Sequence, residues 1–134
     1  MANILYASGG TFYNKPYEEF LQGRGHRVRH VGSFPEALES VQGGKFDIVV
    51  TEILLNESPP DSVRLGRHYC SGFSLIDAMR QDGPNKDTPV VVYSVLGRQM
   101  LDEELERRGL KIHLQAPVEL ETLEQAVNSG LTQK

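Results

Sequence analysis

Residues 46–55 read Phe-Asp-Ile-Val-Val-Thr-Glu-Ile-Leu-Leu, a nearly unbroken apolar run preceded by Gly43-Gly44. β-branched residues dominate its centre. The pattern predicts a strand buried on both faces, as in the middle of a parallel sheet. A buried helix is the alternative for such a run, but its length and Ile/Val content favour the strand. One carboxylate, Glu52, stands near its C-terminal end. In open α/β sheets that end is where ligands bind.

The rest of the pattern alternates strands with helices. Residues 3–7 are a short apolar run stopped by Ser8-Gly9-Gly10. Asn14 is placed to cap a helix with Pro16 in its first turn. Tyr17, Phe20 and Leu21 share a face of that helix, and Gly23 and Gly25 end it. Residues 27–31 alternate as Arg-Val-Arg-His-Val, the pattern of a half-exposed edge strand. Ser33 followed by Glu36 is a capping box. It opens a helix with Ala37, Leu38 and Val41 inward. Residues 56–71 show no periodicity and hold Pro59, Pro60 and Gly66; a connection this long without structure of its own is uncommon and often functional. A helix starts at Gly72, with Phe73, Ile76 and Met79 inward, and ends near Gly83-Pro84. Residues 88–94 predict a second buried strand, 98–108 a charged helix with Leu101 and Leu105 inward, 111–114 a last short strand, and 117–127 a closing helix.

Five β-α units in succession predict a doubly wound α/β domain with parallel strands and right-handed crossovers. The 134 residues suffice for one core. The expected domain is 1–128, with 129–134 a flexible tail. The net charge of −4 and a pI near 5.5 give no general pull toward nucleic acid or anionic membrane, so neither is an expected partner. The single cysteine, Cys70, allows no internal disulfide and suits a reducing compartment. No secretory signal and no apolar run of membrane-spanning length is read from the sequence. The expected location is cytoplasmic.

Residues 35–54, 72–80, 88–94 and 109–123 with their Ala116-Pro117, in this order and spacing, resemble the receiver domains of bacterial two-component response regulators. The resemblance implies a flavodoxin-like (βα)5 sheet with strand order 2-1-3-4-5 and a cis Ala116-Pro117 bond. It also marks residues 56–71 as longer than the family's usual link. Family members hold Mg²⁺ on an acidic pair after the first strand. They accept a phosphoryl group on an aspartate ending the third strand, and place Ser or Thr after the fourth and Lys-Pro after the fifth. Metal and lysine neutralise the phosphoryl oxygens while the carboxylate attacks in line. In this chain the acidic pair maps onto Ser8 and Gly9, the acceptor onto Glu52, and the lysine onto Ala116. Ser94 and Pro117 keep the family's identity, and His113 stands at the aromatic switch position. The resemblance therefore implies a pseudo-receiver that has lost phosphotransfer, has no cofactor and no catalytic constellation, and acts by binding proteins. The partners implied are a sensor kinase or an output domain, through the helix–strand–helix face of residues 98–127. That face is also where a homodimer would form.

Glu52 has two readings: a mimic of the phosphorylated state reaching toward Ser94, or a strand-end acid that faces water or bonds to Ser8 or Ser94. Ser8-Gly9-Gly10 reads as a glycine turn rather than a phosphate cradle, since it has neither GxGxxG nor a P-loop lysine. His68 and Cys70 are too few for zinc, so no metal site is expected. Arg64, Arg67, His68 and Tyr69 are read as an interaction loop. His113 is read as packing, with pH sensing as the alternative. Two other functions stay open: a phosphorelay receiver with a displaced acceptor at Glu57 or Asp61, and a small nucleotide-binding α/β enzyme using residues 6–10 and Glu52.

Overall fold

The computed structural model describes residues 1–9 and 15–132. The predicted cap Asn14 and the last glycine of the first turn, Gly10, lie outside them. In chain order the elements are β1 (Asn3–Ala7), α1 (Lys15–Gly23), β2 (Arg27–Val31), α2 (Phe34–Gly43), β3 (Ile48–Glu52), β4 (Arg64–Leu65), β5 (His68–Tyr69), α3 (Ser71–Gln81), β6 (Val90–Ser94), α4 (Arg98–Arg107), β7 (His113–Gln115) and α5 (Leu120–Leu131).

Five strands form one parallel sheet in the order β2-β1-β3-β6-β7. With the hairpin strands β4 and β5 set aside, this is the expected order 2-1-3-4-5. The run at 46–55 supplies the central strand β3, and all five of its residues are buried. Successive side chains of a strand point to opposite faces. Leu5, Val49, Ile53, Val90 and Val92 therefore pack with the buried faces of α2, α3 and α4. Ile4, Tyr6, Ile48, Val50, Val91 and Tyr93 pack with Leu21 of α1 and with Leu123, Ala126 and Val127 of α5. Arg27 and Arg29 are exposed on the edge strand β2, as their alternation predicts.

Local chemistry fixes the helix ends. Ser33 caps α2: its hydroxyl oxygen accepts from the Glu36 N–H at 3.4 Å and donates to Glu36 Oε1 at 3.1 Å. The Glu36 carboxylate thus returns to the Ser33 hydroxyl, a variation on the box expected from the sequence. Asn85, fully buried, joins three segments. Its amide donates to the Val41 and Gly44 carbonyls at 2.7 and 2.6 Å, and its oxygen accepts from the Phe46 N–H and the Thr88 hydroxyl at 2.8 and 2.9 Å. The end of α2 is thereby tied to the segments that lead into β3 and β6.

Four expectations are corrected. Residues 56–71 are structured: Asn56 bridges to Ser33, and Arg64–Leu65 pairs antiparallel with His68–Tyr69. Strands of two residues are too short to show an alternation. The last strand is His113–Gln115 rather than 111–114, because β6 pairs with it from His113 onward. The closing helix starts at Leu120, not at Pro117: the Ala116-Pro117 bond is cis, and Glu119, the N-cap, is extended. It also runs through Leu131, past the expected boundary at 128. Gly130 is buried there against the Ile48 and Ile112 side chains, so residues 129–131 dock on the sheet instead of fraying.

Arg108, just after α4, is a linking residue the sequence did not single out. Its side chain is 10% exposed and makes a two-bond contact to Asp77 of α3 at 2.8 and 3.0 Å. It also bonds Glu104 at 2.8 Å, and its guanidinium lies 4.5 Å from the Phe73 ring centroid. Arg108→Ala should cost about 2 kcal/mol, since it leaves the largely buried Glu104 carboxylate with only the longer ion pair to Arg107 at 3.4 Å and removes the cation–π contact. Urea unfolding of the variant checks this, and an unchanged midpoint would contradict it.

Candidate functional site at the carboxyl rim of the sheet

Three strand ends carry predicted site residues. β1 delivers Ser8 and Gly9, β3 delivers Glu52, and β6 delivers Ser94. Glu52 is 2% exposed. Its Oε2 accepts from the Ser8 hydroxyl at 3.1 Å and from the Gly9 N–H at 3.3 Å. It faces neither water nor Ser94. Of the bonds read for a strand-end acid, the one to Ser8 is present. Ser94 is turned elsewhere: its oxygen accepts from the Leu96 N–H at 2.9 Å, and its carbonyl accepts from the Ala116 N–H at 2.8 Å.

The side-chain alternation explains the direction of Glu52. Ile48, Val50 and Glu52 point to the α1/α5 face, as do Ile4, Tyr6 and Ser8 of the neighbouring β1. Ser94 lies on the opposite face, with Val90 and Val92. Glu52 and Ser94 therefore diverge, while Glu52 and Ser8 converge.

Burial of Glu52 outweighs its two donors and raises its carboxyl from 4.5 to about 7. Tyr93, directly across from Glu52 in the β3–β6 register, adds to this apolar surrounding. Its hydroxyl is buried and has no hydrogen-bond partner among the described residues. Burial is the main reason that its pKa lies above the usual tyrosine range, with Tyr6 adding to it. Tyr6 enters the sequence reading of the site only within residues 6–10, and Tyr93 not at all. The signal was their two-residue spacing, Tyr6 to Ser8 along one strand and Val91 to Tyr93 along another, which places them on the face of Glu52.

The backbone closes tightly around this point. The His30 ring donates from Nε2 to the Ser8 carbonyl at 2.7 Å. A Cβ on Gly9 would lie 2.0 Å from the Gly32 carbonyl oxygen, so only glycine fits there. Gly72, in the first turn of α3, donates its N–H to the Ile53 carbonyl at 2.8 Å and touches β3 closely.

The remaining predicted residues lie apart from Glu52. Ala116 and Pro117 follow β7 at the far edge of the sheet. His113 in β7 has a buried Nε2 with no partner among the described residues. Burial lowers its pKa, and the Arg98 charge lowers it further against the pull of Asp102. Arg64, Arg67, His68 and Tyr69 are exposed on the hairpin, whereas Cys70 is buried, with a thiol pKa raised chiefly by burial. Among the described residues no helix is long and apolar enough to cross a membrane.

No family model matches the chain, and no curated protein does. Solved structures do. The receiver domain of the sensor histidine kinase PA1611 from Pseudomonas aeruginosa PAO1, solved with magnesium coordinated in its active-site cleft, is 17% identical. Its TM-score is 0.78, and the match covers 98% of both chains. The chemotaxis response regulator CheY4 of Vibrio cholerae is 21% identical with a TM-score of 0.78, over 96% of this chain and 98% of that one. The receiver domain of the Francisella response regulator 1452 is 19% identical with a TM-score of 0.79, over 99% and 98%. NtrX from Brucella abortus is 21% identical with a TM-score of 0.78, over 98% of this chain but 27% of that longer one. With its five-stranded parallel sheet in the order β2-β1-β3-β6-β7, this chain has the fold of the response regulator receiver domains.

Proposed function

We propose that the chain is a pseudo-receiver: a signalling module that keeps the receiver fold and binds protein partners without accepting a phosphoryl group. The observation that carries this reading is the engagement of Glu52. Its buried carboxyl is already bonded to the Ser8 hydroxyl and the Gly9 N–H, the two positions where the family resemblance places metal-binding acids. Mg²⁺ takes near-octahedral oxygen ligation, commonly with one or two carboxylates. Ser8 supplies only a hydroxyl that is donating to Glu52, and Gly9 supplies no side chain, so the donor set does not suit that ion. Ala116 offers no ammonium to offset phosphoryl charge. A carboxyl raised to about 7 by burial is also partly protonated near neutrality, which weakens it as a nucleophile.

Protein binding is the role left to such a fold. Met100, in the first turn of α4, is 46% exposed, an apolar side chain within the 98–127 segment proposed for partners. A sensor kinase, an output domain or a second copy of the chain is the kind of partner that segment would take.

Incubation with acetyl phosphate and Mg²⁺ tests the reading. Intact-mass measurement and peptide mapping are expected to find no phosphoryl adduct on Glu52, Glu57 or Asp61. A stable adduct on Glu52 would overturn the proposal, and one on Glu57 or Asp61 would favour a displaced acceptor.

A further inference from the structure

We propose that the hairpin of β4 and β5 is a docking element for an extended acidic segment of a partner protein. The proposal rests on reading the chain as a binding module and adds the chemistry of one partner. Between Asp61 and Asp77 the chain carries no acid, but it carries Arg64, Arg67 and His68. This is an acid-free, basic stretch of sequence in a protein of net charge −4. Among the described residues neither arginine takes part in an ion pair.

The hairpin sets Arg64 against Tyr69. Gly66 has φ +61°, as the first residue of a tight two-residue hairpin turn requires. Arg64 stands directly across from Tyr69, with its guanidinium carbon 5.3 Å from the ring centroid and its Nε donating to the Gly66 carbonyl at 3.2 Å. Tyr69 is 45% exposed, so the ring offers a flat apolar surface beside the guanidinium. Below them Leu65 packs on the core, Cys70 is buried, and the Cys70 N–H donates to the Val63 carbonyl at 2.7 Å. The Ser71 hydroxyl donates to the Leu55 carbonyl at 2.9 Å and accepts from its N–H at 3.0 Å, clamping the base of the segment.

An arginine fork matches a carboxylate with two parallel bonds, and tyrosine and arginine are the side chains that most often dominate interfaces. Groups already ordered before binding lose less entropy on docking. Nucleic acid would meet the same arginines, but the surrounding protein is acidic and would repel a polyanion of extended charge. A short acidic peptide avoids that repulsion.

Amide chemical-shift titration of the ¹⁵N-labelled chain tests this, with hexaglutamate, hexalysine and a short oligothymidylate as probes. Saturable shifts at residues 64–69 are expected with hexaglutamate and not with hexalysine, and they should vanish at high salt. Arg64→Glu with Arg67→Glu should lose at least about tenfold in hexaglutamate affinity and gain hexalysine binding, because charge pairing sets the preference. Both side chains are exposed, and an unchanged thermal melt would verify that the variant folds. Tyr69→Ala should weaken binding without reversing the charge preference. No shifts at 64–69, equal affinity in the double variant, or tighter binding of the oligothymidylate would each overturn the proposal. These outcomes are separable from a phosphoryl adduct on Glu52, which would overturn the pseudo-receiver reading and leave the titration untouched.

Discussion

Glu52→Gln should make the protein more stable at pH 8.5 by about 3 kcal/mol and leave it nearly unchanged at pH 4.5. The unfolded chain titrates Glu52 near 4.5, and the fold raises it to about 7. The folded state therefore holds the proton more tightly. The stability gained from the neutral carboxyl is fully present below pH 4.5 and is lost as the pH rises through about 7. Each pH unit between the two values is worth about 1.4 kcal/mol, which gives the figure above. Glutamine keeps an oxygen to accept from the Ser8 hydroxyl and the Gly9 N–H while removing the charge. For a chain of this length the gain amounts to a rise on the order of 10 °C in the melting temperature at alkaline pH. Urea unfolding of both proteins at several pH values measures it. A difference between them that stays constant with pH would sink the idea that burial of a titrating carboxyl strains this site.

Gly72→Ala should be at least as damaging in the other direction, with a loss of about 3 kcal/mol or more. A Cβ at Gly72 would lie 2.4 Å from the Glu52 carbonyl oxygen and 2.8 Å from the Ile53 Cα. Both are backbone atoms of the strand paired on each side by β1 and β6, so neither can give way cheaply. The better helix propensity of alanine, about 1 kcal/mol, does not offset that clash. Gly43→Ala is the control: it lies in α2 with nothing within 4 Å of its added Cβ, and it should be neutral or slightly stabilising. Equal unfolding midpoints for Gly72→Ala and the wild type would show that α3 can slide off β3. The same movement would then open the base of the 56–71 segment, since Ser71 and Gly72 anchor it there.

Much of the molecule is legible one element at a time. Runs such as 46–55 and 88–94 reveal buried parallel strands because both faces must be apolar. Ala37 and Val41, or Phe73, Ile76 and Met79, reveal helix faces by their spacing. The resemblance to receivers supplied the strand order and the cis Ala116-Pro117 bond, both present in the structure. The hairpin at 64–69 was not legible, because two-residue strands carry no period and a single glycine turn is not distinctive. The last turn of α5 was also missed. A polar sequence such as Asn128-Ser129-Gly130 suggests fraying, whereas Gly130 is buried against the Ile48 side chain.

The divide between sequence and tertiary structure is sharpest at Glu52. The sequence alone determined that the central apolar run is a strand and that an acid stands at its end. Local pattern settles such facts because each depends on one residue and its place in one strand. Only the tertiary structure decided that this acid turns to Ser8 and Gly9 and away from Ser94, that it is buried, and that Tyr93 stands across from it. Those outcomes depend on the register between strands more than 40 residues apart in the chain, where Ala7 meets Thr51 and Glu52 meets Tyr93. A shift of one position would send each side chain to the other face.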